Sequence, residues 1–287
     1  MSSEAPLCLS DTRALLDRLG LRPSRHRGQN FLVDGNIVRK SLELAEIRRG
    51  DLVVEIGPGL GTLTRALLAA GCRVHAVELD RGLYAYLREE VVPVSDGRLH
   101  LIEGDALDFP RAGLGELSQG GYKVVANLPY AISTPWMDAI LSGPLPSRMV
   151  LMLQKEAAQR YTAVHGSKNF GAISIALQSV FDVAPGHRVA ASCFFPRPDI
   201  DSMLLNLRLK AEPKPLSPAF RQALRGWFGH RRKQLLPLIR DSHPHAASAA
   251  AAWLQAAGLS PSVRAEEIPL ENWLDCGSLQ QAVEAAA

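Results

Sequence analysis

No stretch of this chain holds the run of about 18 apolar residues that a membrane-spanning helix needs. The N-terminus also lacks the basic-then-apolar pattern of a secretion signal. The Ala-rich segment from Ala246 to Ala257 is too short and too weakly apolar to change that reading. Cysteine is scarce as well: Cys8, Cys72, Cys193 and Cys276 are scattered, with no CxxC pair. That spacing offers no zinc-ligand pattern and leaves disulfide pairing open, but it favours reduced thiols in a cytoplasmic protein, with no metal expected. An excess of one charge is missing too, since 32 Lys and Arg stand against 29 Asp and Glu, a formal net charge of +3. A polyanionic partner is therefore not announced by the total, and the placement of the cations has to decide. No internal repeat is evident.

What is present is a generous apolar fraction, 47% of 287 residues, enough for a full core in one large domain with a smaller partner. Residues 1–27 read as an N-terminal arm, with one amphipathic helix around Leu15, Leu16 and Leu19. The arm ends in the basic segment Arg22-Pro23-Ser24-Arg25-His26-Arg27. A second helical pattern runs from Asn36 to Ile47. Strand-like and helical runs then alternate. Strands are expected at 52–56, 73–77, 99–102, 122–126, 149–153 and 203–209, and helices at 62–70, 83–91, 155–163 and 172–180. Alternation of this kind specifies an α/β fold with a doubly wound, parallel sheet. Pro213-Lys214-Pro215-Leu216-Ser217-Pro218 places three prolines in six residues and marks a boundary. Beyond it only helical patterns remain, near 218–228, 232–240, 246–257 and 270–274. The expected division is 1–27, 28–212 and 213–287.

The residues that carry chemistry sit where strands give way to loops. Gly57, Gly59 and Gly61 separate the first core strand from its helix, where glycine permits sharp turning and close approach of a ligand. Glu78 follows Gly57 by 21 residues, at the end of the next strand. A carboxylate there can accept from both hydroxyls of a ribose. Asp105 ends the third strand in Gly104-Asp105-Ala106, as a turn residue, as an acceptor for an exocyclic amine, or as both. Upstream, in Gly28-Gln29-Asn30-Phe31-Leu32, Asn30 can satisfy polar groups of a ligand and Leu32 or Phe31 can cover an apolar edge. A nicotinamide dinucleotide stays open on the glycines and Glu78 alone.

Asn127-Leu128-Pro129-Tyr130 shifts the weight. The stretch follows the buried-strand run Val124-Val125-Ala126 and offers no group suited to receiving or directing hydride. It instead suits a flat, polar ring. The Asn127 amide and a backbone carbonyl of Leu128 or Pro129 accept from an exocyclic amine, and Tyr130 supplies a stacking face. With four strand-end loops lining one crevice, S-adenosylmethionine becomes the favoured cofactor, and methyl transfer to the amino group of a base the favoured reaction.

Together these stretches resemble the rRNA adenine N6-dimethyltransferase family. The likeness is carried by GQNFL at 28–32, EIGPGLGTLT at 55–64, ELD at 78–80, GDA at 104–106, NLPYAIST at 127–134 and LQKE at 153–156. It continues through FFPRPDIDS at 194–202, FGHRRK at 228–233 and RAEEI at 264–268. The resemblance implies a Rossmann-like S-adenosylmethionine-dependent methyltransferase sheet with a small C-terminal helical domain. It places Asn30, Leu32, Gly57, Glu78, Asp105 and Asn127 at the cofactor, Asn127 and Tyr130 in the target-base pocket, and Phe194 on the pocket's other side. It also implies dimethylation of two adjacent adenines near the 3′ end of small-subunit (16S) rRNA, late in assembly of the 30S subunit. A monomer is expected. Arg27 departs from the pattern, standing where family members usually carry Phe.

Positive charge concentrates in the C-terminal segment at Arg221, Arg225, Arg231, Arg232, Lys233 and Arg240, where acidic residues are sparse. These are the candidate phosphate contacts of an rRNA-binding domain, and Arg22 to Arg27 form a second candidate patch. No motif for base-specific RNA readout accompanies them. Recognition through the shape of a partly assembled particle is therefore expected.

Overall fold

The computed structural model describes residues 6–24 and 28–285, apart from the side chain of Tyr130. Arg25, His26 and Arg27 therefore lie outside the described residues. Contacts divide the chain into two compact units: residues 1–158 with 183–209, and residues 159–182 with 210–287.

The first unit is built on a seven-stranded sheet. Its strands are β2 (Leu52–Ile56), β3 (Arg73–Glu78), β4 (Leu99–Glu103), β5 (Lys123–Asn127), β6 (Arg148–Gln154), β7 (Phe181–Val189) and β9 (Ser202–Leu209). Their order is β4-β3-β2-β5-β6-β9-β7. The pairs β4–β3, β3–β2, β2–β5 and β5–β6 are parallel, and β6–β9 is antiparallel. β2 is buried at all five positions, as the unbroken apolar runs of a parallel sheet covered on both faces require. The chain moves outward from β2 to β3 and β4, then returns to lay β5 on the other side of β2. That reversal opens a crevice beyond the carboxyl ends of β2 and β5, where open α/β sheets hold their ligands.

The helices of this unit are α1 (Leu9–Leu19), α2 (Gly35–Leu44), α3 (Thr62–Ala69), α4 (Arg81–Glu90) and α5 (Ser133–Ile140), with α6 (Lys155–Tyr161) crossing into the second. The arm helix α1 is not loose. Leu15 and Leu16 are buried in the hydrophobic core, and Arg18 forms a two-pronged ion pair with Glu90 at 2.7 Å. Two short strands, β1 (Phe31–Leu32) and β8 (Phe194–Phe195), pair antiparallel and fasten the 28–32 loop to the body.

Strand β7 is absent from the sequence expectation for a physical reason. It contains Pro185 and Gly186 and shows mostly exposed side chains, so neither alternation nor an apolar run marks it. Proline is tolerated because β7 lies at the end of the sheet. Gly186 is required because a Cβ there would collide with the carbonyl of Leu204.

The second unit contains α7 (Ala172–Gln178), α8 (Pro218–Phe228), α9 (Leu235–Ser242), α10 (Ala247–Ala256), α11 (Leu270–Leu274) and α12 (Gly277–Glu284). Ser217 caps α8 through Phe220 N–H, with Pro218 in the first turn. An aromatic core joins its helices: Trp227 and Trp273 stack with centroids 6.4 Å apart, and Trp253 lies 5.1 Å from Trp273. The segment 159–182 packs here, although it precedes the proline boundary. The amide of Gly166 bonds the Glu266 carbonyl, and the Phe170 ring meets Phe228 edge-on at 5.9 Å. Even the proline-rich stretch is held, since Lys214 N–H donates to Ser179 O and Leu216 is buried.

Candidate active site

Loops at the carboxyl ends of β2, β3, β4 and β5, with the 28–32 segment, enclose one cavity of about 280 Å³. The glycines make its floor possible. Gly57 has φ +64° and packs against Pro129, where a Cβ would sit 3.5 Å from the ring. Gly59 has φ +60°, and a Cβ there would come within 3.2 Å of Phe31. Any other residue at Gly59 would be strained in backbone and crowded in space.

Glu78 is buried at the end of β3, and its two oxygens tie loops together. Oε2 accepts from Gly59 N–H at 3.0 Å and Oε1 from Asp80 N–H at 2.9 Å. Burial pushes its pKa above the ordinary glutamate range, against the pull of those two backbone donors. Asp105 lines the same cavity and accepts Leu107 N–H through Oδ1 at 2.8 Å, so it serves as a turn residue while facing the site.

Asn127, the last residue of β5, is oriented by its partner. Its Nδ2 donates to the Asn30 carbonyl at 2.9 Å. A carbonyl can only accept, so the amide nitrogen must face it and Oδ1 is left as an acceptor at the cavity wall. Asn30 in turn donates to the Gly28 carbonyl at 3.1 Å. Leu128 and Pro129 line the cavity behind Asn127, and a 3-10 turn over Tyr130–Ile132 follows. The Tyr130 side chain lies outside the described residues.

The structure thus brings Asn30, Leu32, Gly57, Glu78, Asp105, Asn127, Leu128 and Pro129 to one cavity. Phe194 is placed differently. It lies in β8 opposite Leu32, buried in the hydrophobic core and outside the cavity lining. Its neighbour Phe195 is partly exposed, with the Arg13 guanidinium 5.0 Å above its ring.

Two arrangements were not foreseen from sequence. Glu55 lines the cavity fully buried, accepts the Thr64 hydroxyl at 2.7 Å, and is pushed up by burial to a pKa of about 8. Gln29 braces the 28–32 loop, donating to Asp80 Oδ2 at 3.2 Å and accepting Ser24 N–H at 2.8 Å. In both, the partners come together only through the fold, which local sequence patterns do not display.

The candidate phosphate contacts separate into two groups. Arg221 is a correction to the sequence expectation: it is 3% exposed and donates to the Leu216 carbonyl at 2.6 Å, so its charge is not presented to solvent. Arg231 is committed to the carbonyls of Lys168 and Ser167. Arg225, Arg232 and Lys233 are exposed.

A doubly wound sheet with a carboxylate after its second core strand and an Asn-Leu-Pro-Tyr turn after its fourth has the form of an S-adenosylmethionine-dependent methyltransferase. Comparison with known proteins narrows the class. Residues 22–280 match the family model described as ribosomal RNA adenine dimethylase. The chain is 59% identical over 268 residues to ribosomal RNA small subunit methyltransferase A of Opitutus terrae, covering 93% of this chain and 97% of that one. It is 40% identical to the protein of the same name from Moorella thermoacetica, covering 91% and 94%. A dimethyladenosine transferase from Plasmodium falciparum shares the fold with a TM-score of 0.68 at 24% identity, covering 87% of this chain and 95% of that one. The 23S rRNA methyltransferase ErmE does so with a TM-score of 0.62 at 24% identity, covering 89% and 100%. The chain belongs to the ribosomal RNA adenine dimethylase family. Its cofactor is S-adenosylmethionine and its substrate is RNA.

Proposed function

We propose that this protein, acting as a monomer in the cytoplasm, dimethylates N6 of two adjacent adenines near the 3′ end of 16S rRNA, late in 30S assembly. The observation that carries the reading is the Asn127 amide, pinned through its nitrogen so that Oδ1 faces the cavity as an acceptor.

Adenine N6 is a poor nucleophile because its lone pair is delocalised into the ring. Asn127 Oδ1 and a backbone carbonyl beside it hold the two N6 hydrogens and draw the nitrogen toward a tetrahedral geometry. The Pro129 carbonyl already accepts Ile132 N–H at 3.2 Å, so the Leu128 carbonyl is the better second acceptor. S-adenosylmethionine supplies an electrophilic methyl group when bound, so orientation of the amine suffices without a charged base. Glu78 suits a ribose, Asp105 an exocyclic amine, and Asn30, Leu32 and Gly57 the rest of that ligand. Methylation leaves the nitrogen one proton in excess, which passes to water; the amine then keeps one hydrogen, and one acceptor holds it for the second transfer.

Tyr130 stacks on the purine, in this reading, and Phe194 closes the other side. Phe194 reaches that position only if the β1–β8 pairing beside Leu32 shifts when the base enters. Arg225, Arg232 and Lys233 contact rRNA phosphates. Incubation with labelled S-adenosylmethionine and undermethylated 30S particles, followed by nucleoside analysis, tests the proposal. N6,N6-dimethyladenosine is expected, and label on duplex DNA but not on the particles would reject it.

A further inference from the structure

A second concave site lies in the first unit, away from every residue assigned above. Arg49, Arg65 and Arg98 line one cavity of about 370 Å³, together with Asp96, Gly71, the end of α3 and the valines that follow α4. Arg49 and Gly71 lie in the turns that lead into β2 and β3, and Arg98 directly precedes β4, so the cavity sits at the amino ends of these parallel strands. The cofactor cavity lies at their carboxyl ends.

Each arginine is held there by something specific. Arg98 donates to the Leu68 carbonyl, at the end of α3. Arg65 donates through one terminal nitrogen to the Tyr86 hydroxyl at 2.9 Å, while its Nε is buried with no hydrogen-bond partner among the described residues. Arg49 lays its stem over Gly71, where a Cβ would come 2.8 Å from Arg49 Cγ and where φ is +83°. The opposing charge is thin. Asp96 lies 4.0 Å from Arg98 and is 88% exposed, while nearby Glu90 is engaged in its two-pronged pair with Arg18.

Among the described residues, three guanidiniums in one polar recess present more N–H donors than the Leu68 carbonyl, the Tyr86 hydroxyl and the exposed Asp96 take up. A tetrahedral oxyanion satisfies such donors in pairs, which is why planar guanidinium forks recur at phosphate sites. We infer that the Arg49–Arg65–Arg98 recess is a phosphate-binding site, separate from the cofactor cavity and from the cations of the second unit. The phosphate is a backbone group of RNA or a free phosphate ion; the chemistry of recognition is shared.

The full-length protein tests it in two arms that do not depend on methyl transfer. In the first, inorganic phosphate is titrated at constant ionic strength while the melting temperature is followed, with chloride as the control anion. The wild type is expected to melt higher in phosphate. Arg49→Glu, an exposed position, and Arg49→Gln combined with Arg65→Gln are expected to lose that increment while melting normally in chloride. In the second arm, binding to undermethylated 30S particles is measured against salt. A smaller salt slope and at least a several-fold loss of affinity for Arg49→Glu would assign the site to RNA. A lost phosphate response with unchanged 30S binding would assign it to a free phosphate. No difference between wild type and variants in either arm would overturn the inference.

Discussion

Glu78 ties two loops together at the cavity wall, where its carboxylate also faces the proposed ribose position. One set of lone pairs already holds Gly59 and Asp80, so the carboxylate builds the cavity as well as facing it. Charge-assisted hydrogen bonds contribute about 1.5–3 kcal/mol each. Loss of the ribose bonds in Glu78→Ala should therefore weaken S-adenosylmethionine binding by roughly 10- to 100-fold. Calorimetry on the folded variant checks this, and an unchanged dissociation constant would remove Glu78 from the ribose. Glu55 carries a prediction of the opposite kind. Its folded pKa of about 8 exceeds the unfolded value of 4.5, so the folded state holds the proton more tightly. Its contribution to stability is full below pH 4.5 and is lost as pH rises through 8. Glu55→Gln keeps an acceptor for Thr64 and has no proton to lose. The variant should gain melting temperature over wild type as pH is raised from about 6 to about 9. A difference independent of pH would show that Glu55 does not titrate in this range.

The elements most legible in the sequence were those whose burial imposes a pattern. β2 is an unbroken apolar run because helices cover both its faces, and α8 announces itself by Ser217 and Pro218 at its start. Edge strand β7 had no such obligation and stayed hidden. The helix α5 was hidden behind the Asn-Leu-Pro-Tyr stretch, although Trp136, Met137 and Ile140 are fully buried. Among site residues, those at strand ends were readable because topology fixes where a parallel sheet opens. The placement of Phe194 was not, since it depends on pairing between two-residue strands that stand far apart along the chain. The turn after β2 lets the element-scale idea be tested. Gly59→Ala imposes a left-handed backbone on an L-residue, at about 1–2 kcal/mol, and crowds Phe31. It should lower the melting temperature by several degrees and weaken cofactor binding together. A variant that melts normally and binds normally would show that neither the φ nor the packing on Phe31 constrains this loop.

At the scale of the whole molecule, the basic cluster of the second unit has to be divided before its role can be measured. Arg231 spends its guanidinium on the carbonyls of Ser167 and Lys168, which stitches the 159–182 segment to the helices that follow the proline stretch. Arg232 and Lys233 are exposed beside it. A single triple charge reversal would mix a structural effect with an electrostatic one. Arg231→Ala alone is expected to lower thermal stability, because two carbonyls lose a charged donor, with little change in the salt dependence of RNA binding. Arg232→Glu with Lys233→Glu is expected to melt normally and to keep its affinity for S-adenosylmethionine, since among the described residues the cavity is lined by residues from the 28–132 part of the chain. That variant should bind 30S particles more weakly, with a log–log salt slope reduced by about one unit for each phosphate it no longer neutralises. Binding measured at several salt concentrations, with calorimetry and a melt beside it, separates the outcomes. Unchanged 30S affinity and slope in the double variant would take Arg232 and Lys233 out of the RNA footprint and leave Arg225 and the Arg49–Arg65–Arg98 recess as the cations to test.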